Sequence, residues 1–418
     1  MPFTFQHDGV LRDAYLPTPE LWKTLPTGWW SPSAPMRPAP PHSMPVIVAL
    51  HDEPYFNMRT GFYEVGHAQE MYFKSRLHLV PKLEPGNPAL RYLVLYPQAL
   101  GSRSTGVSAD GTVYMGGYWN NGYYGREREA WVDDVGFIAE LLMRVMQRFF
   151  ELYEDFKVRV ATQNRRSGLN VALHSPYALP VLDVERIYLV GLGSGGAMAY
   201  RLALELPARL SALYNSQHAA LGMVQPKLAG IATVGASAGG WLTLKDYLLY
   251  SNTGRPLPHV DWTPSASTDL HVLAIQGMGD TYVIPGDPPP SHKGLLSTGR
   301  REELLAQHAP AENAPCHFSM WRTLEPWATG AGWSDPFVSD TAPLPPGGLL
   351  DRWRWSQGGQ ARSVVLGLRD PNLGRGWPGP LPITSSGPRT WSDDPVDAAH
   401  ENAAADIVKF FNDPWSYV

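Results

Sequence analysis

Residues Ile187 to Met198 read IYLVGLGSGGAM: an apolar run, a cluster of glycines, then the start of the Ala- and Leu-rich stretch AMAYRLALEL (197–206). A strand, a sharp glycine turn and a helix commit this part of the chain to a β-α unit, because so tight a turn folds the helix back onto its strand. Apolar runs bounded by turn residues recur elsewhere. VIVAL (46–50), YLVLYP (92–97), RIYLV (186–190), LAGIATV (228–234), DLHVLAI (269–275) and ARSVVLGL (361–368) have the length and continuous apolarity of strands buried on both faces. AWVDDVGFIAELLMRVMQRFF (130–150) and DAAHENAAADIVKFF (397–411) place apolar residues at helical spacing. The pattern predicts an α/β fold, with a mostly parallel central sheet and helices on both faces, in a single domain over 1–418.

Three stretches break the alternation, at about 17–44, 250–268 and 320–360, all rich in Pro, Trp, Gly and Ser. They read as long loop insertions. Of the 15 tryptophans, seven fall between Trp321 and Trp391. Either they brace these loops, or they form a surface for a protein partner or for self-assembly.

Composition excludes several classes. A formal net charge of −5 without a run of like charge is no footprint for nucleic acid or an anionic membrane. Cys316 is the single cysteine, so no internal disulfide or cysteine-based zinc site is expected. No His or carboxylate set has ligand spacing such as H-E-x-x-H, and neither a metal nor a cofactor is expected. The most apolar helical stretch, Val135–Phe150, carries Glu140, Arg144 and Arg148 and reads as amphipathic. MPFTFQHDGVLRDAYLP lacks the build of a signal peptide, so a cytoplasmic location is the expectation, compatible with release in a larger particle.

The glycine turn has two readings. As G-x-G-x-x-G, Gly191–Gly196 would cradle a pyrophosphate, but residues 208–222 hold no acidic residue for the ribose. As a nucleophile elbow it would throw a side chain out at the top of the sheet. LDVERIYLVGLGSGGAMAYRLALELPARLSAL (182–213) resembles the polyhydroxybutyrate-depolymerase and feruloyl-esterase-like branch of the α/β-hydrolases. GVLRDAYLP (9–17), PVIVALHD (45–52), YLVLYPQ (92–98), the Tyr118-Trp119-Asn120 cluster, VDDVGFI (132–138), IQGMGDTYVIP (275–285), LGRGWPG (373–379) and IVKFF (407–411) match that family in order.

The resemblance implies a serine carboxylesterase fold, yet the catalytic letters depart from it. Asp280 keeps the family's acid. Gly193 stands at the nucleophile position and Arg375 at the general-base position; neither a missing side chain nor a guanidinium of pKa above about 12 can do that work. The resemblance puts His51, Asp52, Ser194, Trp119 and Trp377 around the oxyanion hole and crevice, with Asp52 replacing the family's glycine. Arg375 is expected to pair with Asp280 as a bidentate ion pair, or to offer its fork to a carboxylate ligand.

Two serines could replace the nucleophile: Ser194, one residue past the elbow, and Ser237, in the literal G-x-S-x-G of Gly235–Gly239. Their base would have to come from His292, His308, His317 or His400, none of them in a catalytic motif. The leading expectation is therefore a non-catalytic hydrolase-fold protein with a binding or structural role. The alternative is an active esterase built on Ser237 or Ser194, with dinucleotide binding at Gly191–Gly196 third. A small ester or a carboxylate is the expected ligand class.

Overall fold

The structure is a computed structural model. It describes residues 2–16, 43–52, 55–57, 62–64, 68–75, 77, 92–100, 105–107, 113–115, 119–121, 132–167, 181–218, 224–237, 270–277, 320, 323, 324, 327, 338–344, 348–356, 364–370, 383–384, 387–388 and 403–414. Its centre is a ten-stranded sheet. In chain order the strands are β1 (Pro2–His7), β2 (Val10–Tyr15), β3 (Ser43–Leu50), β4 (Leu93–Pro97), β5 (Val181–Leu192), β6 (Leu228–Val234), β7 (His271–Gly277), β8 (Val338–Leu344), β9 (Gly348–Ser356) and β10 (Val364–Asp370). Across the sheet they run β1-β2-β4-β3-β5-β6-β7-β10-β9-β8. The six central strands are parallel, and an antiparallel pair closes each edge. This order, with its antiparallel second strand and its swap of β3 and β4, is the α/β-hydrolase fold.

Alternation along the strands divides the core. Val46, Val48 and Leu50 face one side, with α2 (Asp134–Ser167) and α3 (Ser194–Leu213). Ile47 and Ala49 face the other, with α1 (Ala68–Ser75) and α4 (Ala403–Asn412). Both faces of the parallel strands are thus covered, which is why their sequences are apolar without a break. No helix among the described residues is long and apolar enough to cross a membrane.

Several boundaries depart from the sequence expectation. β1 was not anticipated: Asp8 and Gly9, with φ of 48° and 76°, form the two-residue turn that pairs it with β2. The helix expected over 130–150 begins at Asp134 and extends to Ser167, its second half too polar for its period to show. The 320–360 stretch, read as loop, contains β8 and β9 and three core residues, Met320, Leu324 and Trp327. Pro343 in β8 and the prolines after it hid a strand that tolerates proline because it lies at the sheet edge. The 17–44 insertion up to residue 42, and 250–268, lie outside the described residues.

A buried ion pair ties the β1–β2 edge to the helical layer. Arg12 donates to Asp134 Oδ1 at 2.5 Å, with its guanidinium 3.9 Å above the Phe137 ring. Burial pushes the Asp134 carboxyl up, while Arg12 and the Asn120 N–H pull it down. Arg12→Met leaves that buried carboxylate without its cation and should cost about 3–5 kcal/mol in urea unfolding.

On the other face, Tyr188 donates to the Phe411 carbonyl at 3.2 Å and stacks on its ring at 4.1 Å, docking α4 on β5. Burial pushes the Tyr188 phenol up to about 12. A raised phenol is an asset to the fold below its unfolded pKa near 10, and that asset is lost as pH rises through 12. The wild type should therefore lose about 2–3 kcal/mol more than Tyr188→Phe between roughly pH 10 and pH 12, read from urea midpoints.

Candidate functional site

The carboxyl ends of β3 and β5 meet the start of α3. β5 ends at Leu192, and Gly193 turns the chain into α3 with φ 53° and ψ −117°. Its N–H donates to the Val234 carbonyl at 2.9 Å, and its own carbonyl accepts the Ala197 N–H at 3.1 Å. A positive φ at this ψ is conformational ground that only glycine enters without strain.

The approach behind the turn is equally demanding. A Cβ on Gly195 would overlap the carbonyls of Leu50 and His51, so the first turn of α3 lies directly on the end of β3. Gly191 abuts Gly195 and Gly196, and Gly196 faces Ala236, which brings the Gly235–Ser237 segment against the same helical turn. The glycines of G-x-G-x-x-G are thus accounted for by close packing and turn geometry inside the fold.

Asp52 fills the space above the turn. Its carboxylate stands where a side chain at residue 193 would begin, and a Cβ there would overlap all three carboxyl atoms. Asp52 Oδ1 accepts the Ser194 N–H at 2.8 Å. The N-terminal amides of α3 carry the positive end of the helix dipole, so a carboxylate is the natural occupant. The anion bound at this turn is the chain's own.

His51, beside it, is fully engaged. Nε2 accepts the Ala99 N–H at 3.1 Å and faces the Gln98 amide nitrogen at 3.2 Å. That leaves the ring proton on Nδ1, which donates to the Asp52 carbonyl at 2.6 Å. The His51 carbonyl takes the Trp119 indole N–H at 2.9 Å, and the two rings lie 5.0 Å apart. His51 therefore sets the backbone of the 51–52 turn and aims Asp52.

The arm Trp119–Asn121 completes the wall. Asn121 donates to the Ser194 carbonyl at 3.4 Å. The Asn120 N–H donates to Asp134 Oδ2 at 2.6 Å, its side chain donates to the Val132 carbonyl at 2.8 Å, and its carbonyl accepts from Arg201 of α3 at 2.5 Å. The buried Arg12–Asp134 pair thus reaches the site through Asn120. Asn121, Gln98, Asp134 and Arg201 were not singled out from the sequence. Nothing local marks them, because each acts on a residue distant in the chain.

Of the residues expected at the site, the structure brings together His51, Asp52, Trp119, Gly193 and Ser194. Ser237 is buried in the segment that follows β6, the strand beside β5. The Ser194 hydroxyl is buried and has no hydrogen-bond partner among the described residues. Asp280, Arg375 and Trp377, with the expected Asp280–Arg375 pair, lie outside the described residues, as do His292, His308, His317 and His400.

The sequence matches no protein-family model and no curated protein. Among solved structures, a lipase/esterase from Lactobacillus plantarum is similar over 76% of this chain and 87% of its own, at 12% identity and TM-score 0.31. A putative carboxylesterase from the same organism covers 76% and 84%, at 11% identity and TM-score 0.28. The native form of a protein named pOPH covers 66% and 68%, at 13% identity and TM-score 0.29.

Asp52 and Gly193 should be energetically coupled. Gly193→Ala meets both the positive φ and the carboxylate, and should cost about 2–4 kcal/mol. In the Asp52→Ala background that cost should fall by about 1–3 kcal/mol. Urea unfolding of the four proteins gives the coupling, and strict additivity would show that Asp52 does not occupy the space above residue 193.

Proposed function

We propose that this chain is a hydrolase-fold protein without hydrolase chemistry, serving a binding or structural role. One observation carries the reading: the Asp52 carboxylate holds the Ser194 N–H and fills the space above Gly193. An ester carbonyl approaching this turn would need that N–H as an oxyanion donor and a nucleophile rising from residue 193. Here the donor is taken by an anion and the residue is glycine. Gly193 thus stands for a lost nucleophile and Arg375 for a lost base, with Asp280 keeping the family's acid position in the sequence. A dinucleotide reading has the same obstacle, since a second anion at the α3 N-terminus would face the Asp52 charge.

In this reading the Pro- and Trp-rich stretches at 17–44 and 250–268, and the part of 320–360 not taken up by β8, β9 and the core residues, supply contact surface for a protein partner or for self-assembly. A carboxylate is the ligand class suited to the fork of Arg375, with a small ester the other candidate ligand.

The second reading is an active esterase with a relocated nucleophile. The buried Ser194 hydroxyl, without a hydrogen-bond partner among the described residues, favours it, and Ser237 is the other candidate. His51 does not serve either as a base, since Nε2 already accepts the Ala99 N–H.

Treatment of the purified protein with a fluorophosphonate should leave no modified serine, and hydrolysis of p-nitrophenyl butyrate should match the buffer rate. Stoichiometric labelling mapped by mass spectrometry to Ser194 or Ser237 would overturn the proposal in favour of the esterase.

A further inference from the structure

We propose that His7, Asp8 and Asp133 form a binding site for a divalent transition-metal cation of the zinc type. The site lies at the β1–β2 turn, away from the Gly193 turn, and is independent of the function proposed above. His7 Nε2 lies 3.7 Å from Asp8 Oδ2 and 3.9 Å from Asp133 Oδ2, and the three atoms fall within 4.8 Å of one another.

The orientation of His7 makes the cluster more than a set of acidic groups. Its Nδ1 faces Glu140 Oε2 at 2.8 Å. Glu140 accepts from Arg144 on Oε1 and from Nδ1 on Oε2, which turns Nε2 toward the two aspartates. Nε2 is buried and has no hydrogen-bond partner among the described residues.

An imidazole nitrogen and two carboxylate oxygens thus meet at one place, within reach of a shared cation. A proton on Nε2 does not meet the geometry, because 3.7 and 3.9 Å exceed hydrogen-bonding range. A metal ion does. Ligand atoms about 2.0–2.2 Å from a tetrahedral zinc stand roughly 3.4 Å apart, so the three atoms, within 4.8 Å of one another, close the site by moving inward. The Asp8 side chain, 72% exposed on its turn, is placed to make that shift.

The surroundings have the build of a metal site. Glu140 orients His7 from behind, as an outer carboxylate orients a metal-bound imidazole, and Arg144 holds Glu140 through 2.8 and 2.5 Å contacts. The other oxygen of Asp133 accepts the Gly136 N–H at 2.8 Å, which fixes its carboxylate at the start of α2. Arg209 already stands near, its Nη2 3.7 Å from Asp133 Oδ2, on a side chain 57% exposed that a metal would displace. An imidazole with two carboxylates suits zinc or its first-row neighbours better than calcium or magnesium, which take oxygen ligands. Bound there, the ion would clasp the β1–β2 edge to α2 with a coordination position left for water.

The test uses the full chain, free of any histidine tag and stripped of metal. Titration with Co²⁺ should raise visible absorption bands of a low-coordinate ion, and Zn²⁺ should abolish them at one equivalent. Calorimetry with Zn²⁺ should show Glu140→Gln weakened about 10–100-fold, and Asp8→Asn and His7→Gln weakened at least as much. Asp8→Asn keeps the turn and guards against a variant that merely unfolds. Absence of the bands, or a Zn²⁺ affinity unchanged in Asp8→Asn and His7→Gln, would overturn the proposal.

Discussion

The contact between the first turn of α3 and the end of β3 is the constraint on which the centre of this protein depends. Gly195 lies against the carbonyls of Leu50 and His51, closer than any side chain permits. Gly193 then has to reverse the chain within one residue, which it does at φ 53°. With strand and helix this close, the N-terminal amides of α3 sit beside residue 52. Whatever side chain stands there meets the positive end of the helix, and an aspartate answers it with both charge and hydrogen bond.

The wall of the crevice follows from the same contact. His51 is locked by Ala99 and Gln98 of the β4 end, and its carbonyl receives Trp119. The Trp119–Asn121 arm is in turn pinned by Arg201 from α3 and Asp134 from α2, and Arg12 closes the chain of contacts from β2. Five elements therefore converge on one turn through buried polar groups that are paired to one another. Such groups are costly alone and specific together. That makes the polar wall, more than the apolar core, the part of the fold that admits a single arrangement.

The parallel strands were plain in the sequence. LAGIATV coincides with β6 residue for residue, and the others differ by a few residues at their ends, because a strand covered on both faces is apolar throughout. Elements at the sheet edges were not plain. β8 carries Pro343 and β1 is interrupted by polar Thr4 and Gln6, and an edge strand is under no demand for continuous apolarity. The far half of α2 shares that fate: a helix face in solvent leaves little period to read.

At the site, the letters Gly193, Ser194, His51, Asp52 and Trp119 were legible because each belongs to a short motif attached to a strand end. What they do to one another was not. The sequence by itself determined an α/β chain with a glycine turn after a buried strand, since strand apolarity and turn chemistry are local properties. Only the tertiary structure decided that the Asp52 carboxylate occupies the space above Gly193, and that His7 faces Asp133 across the β1–β2 edge. Those encounters are set by which strands neighbour one another and in what register, and no spacing along the chain encodes that.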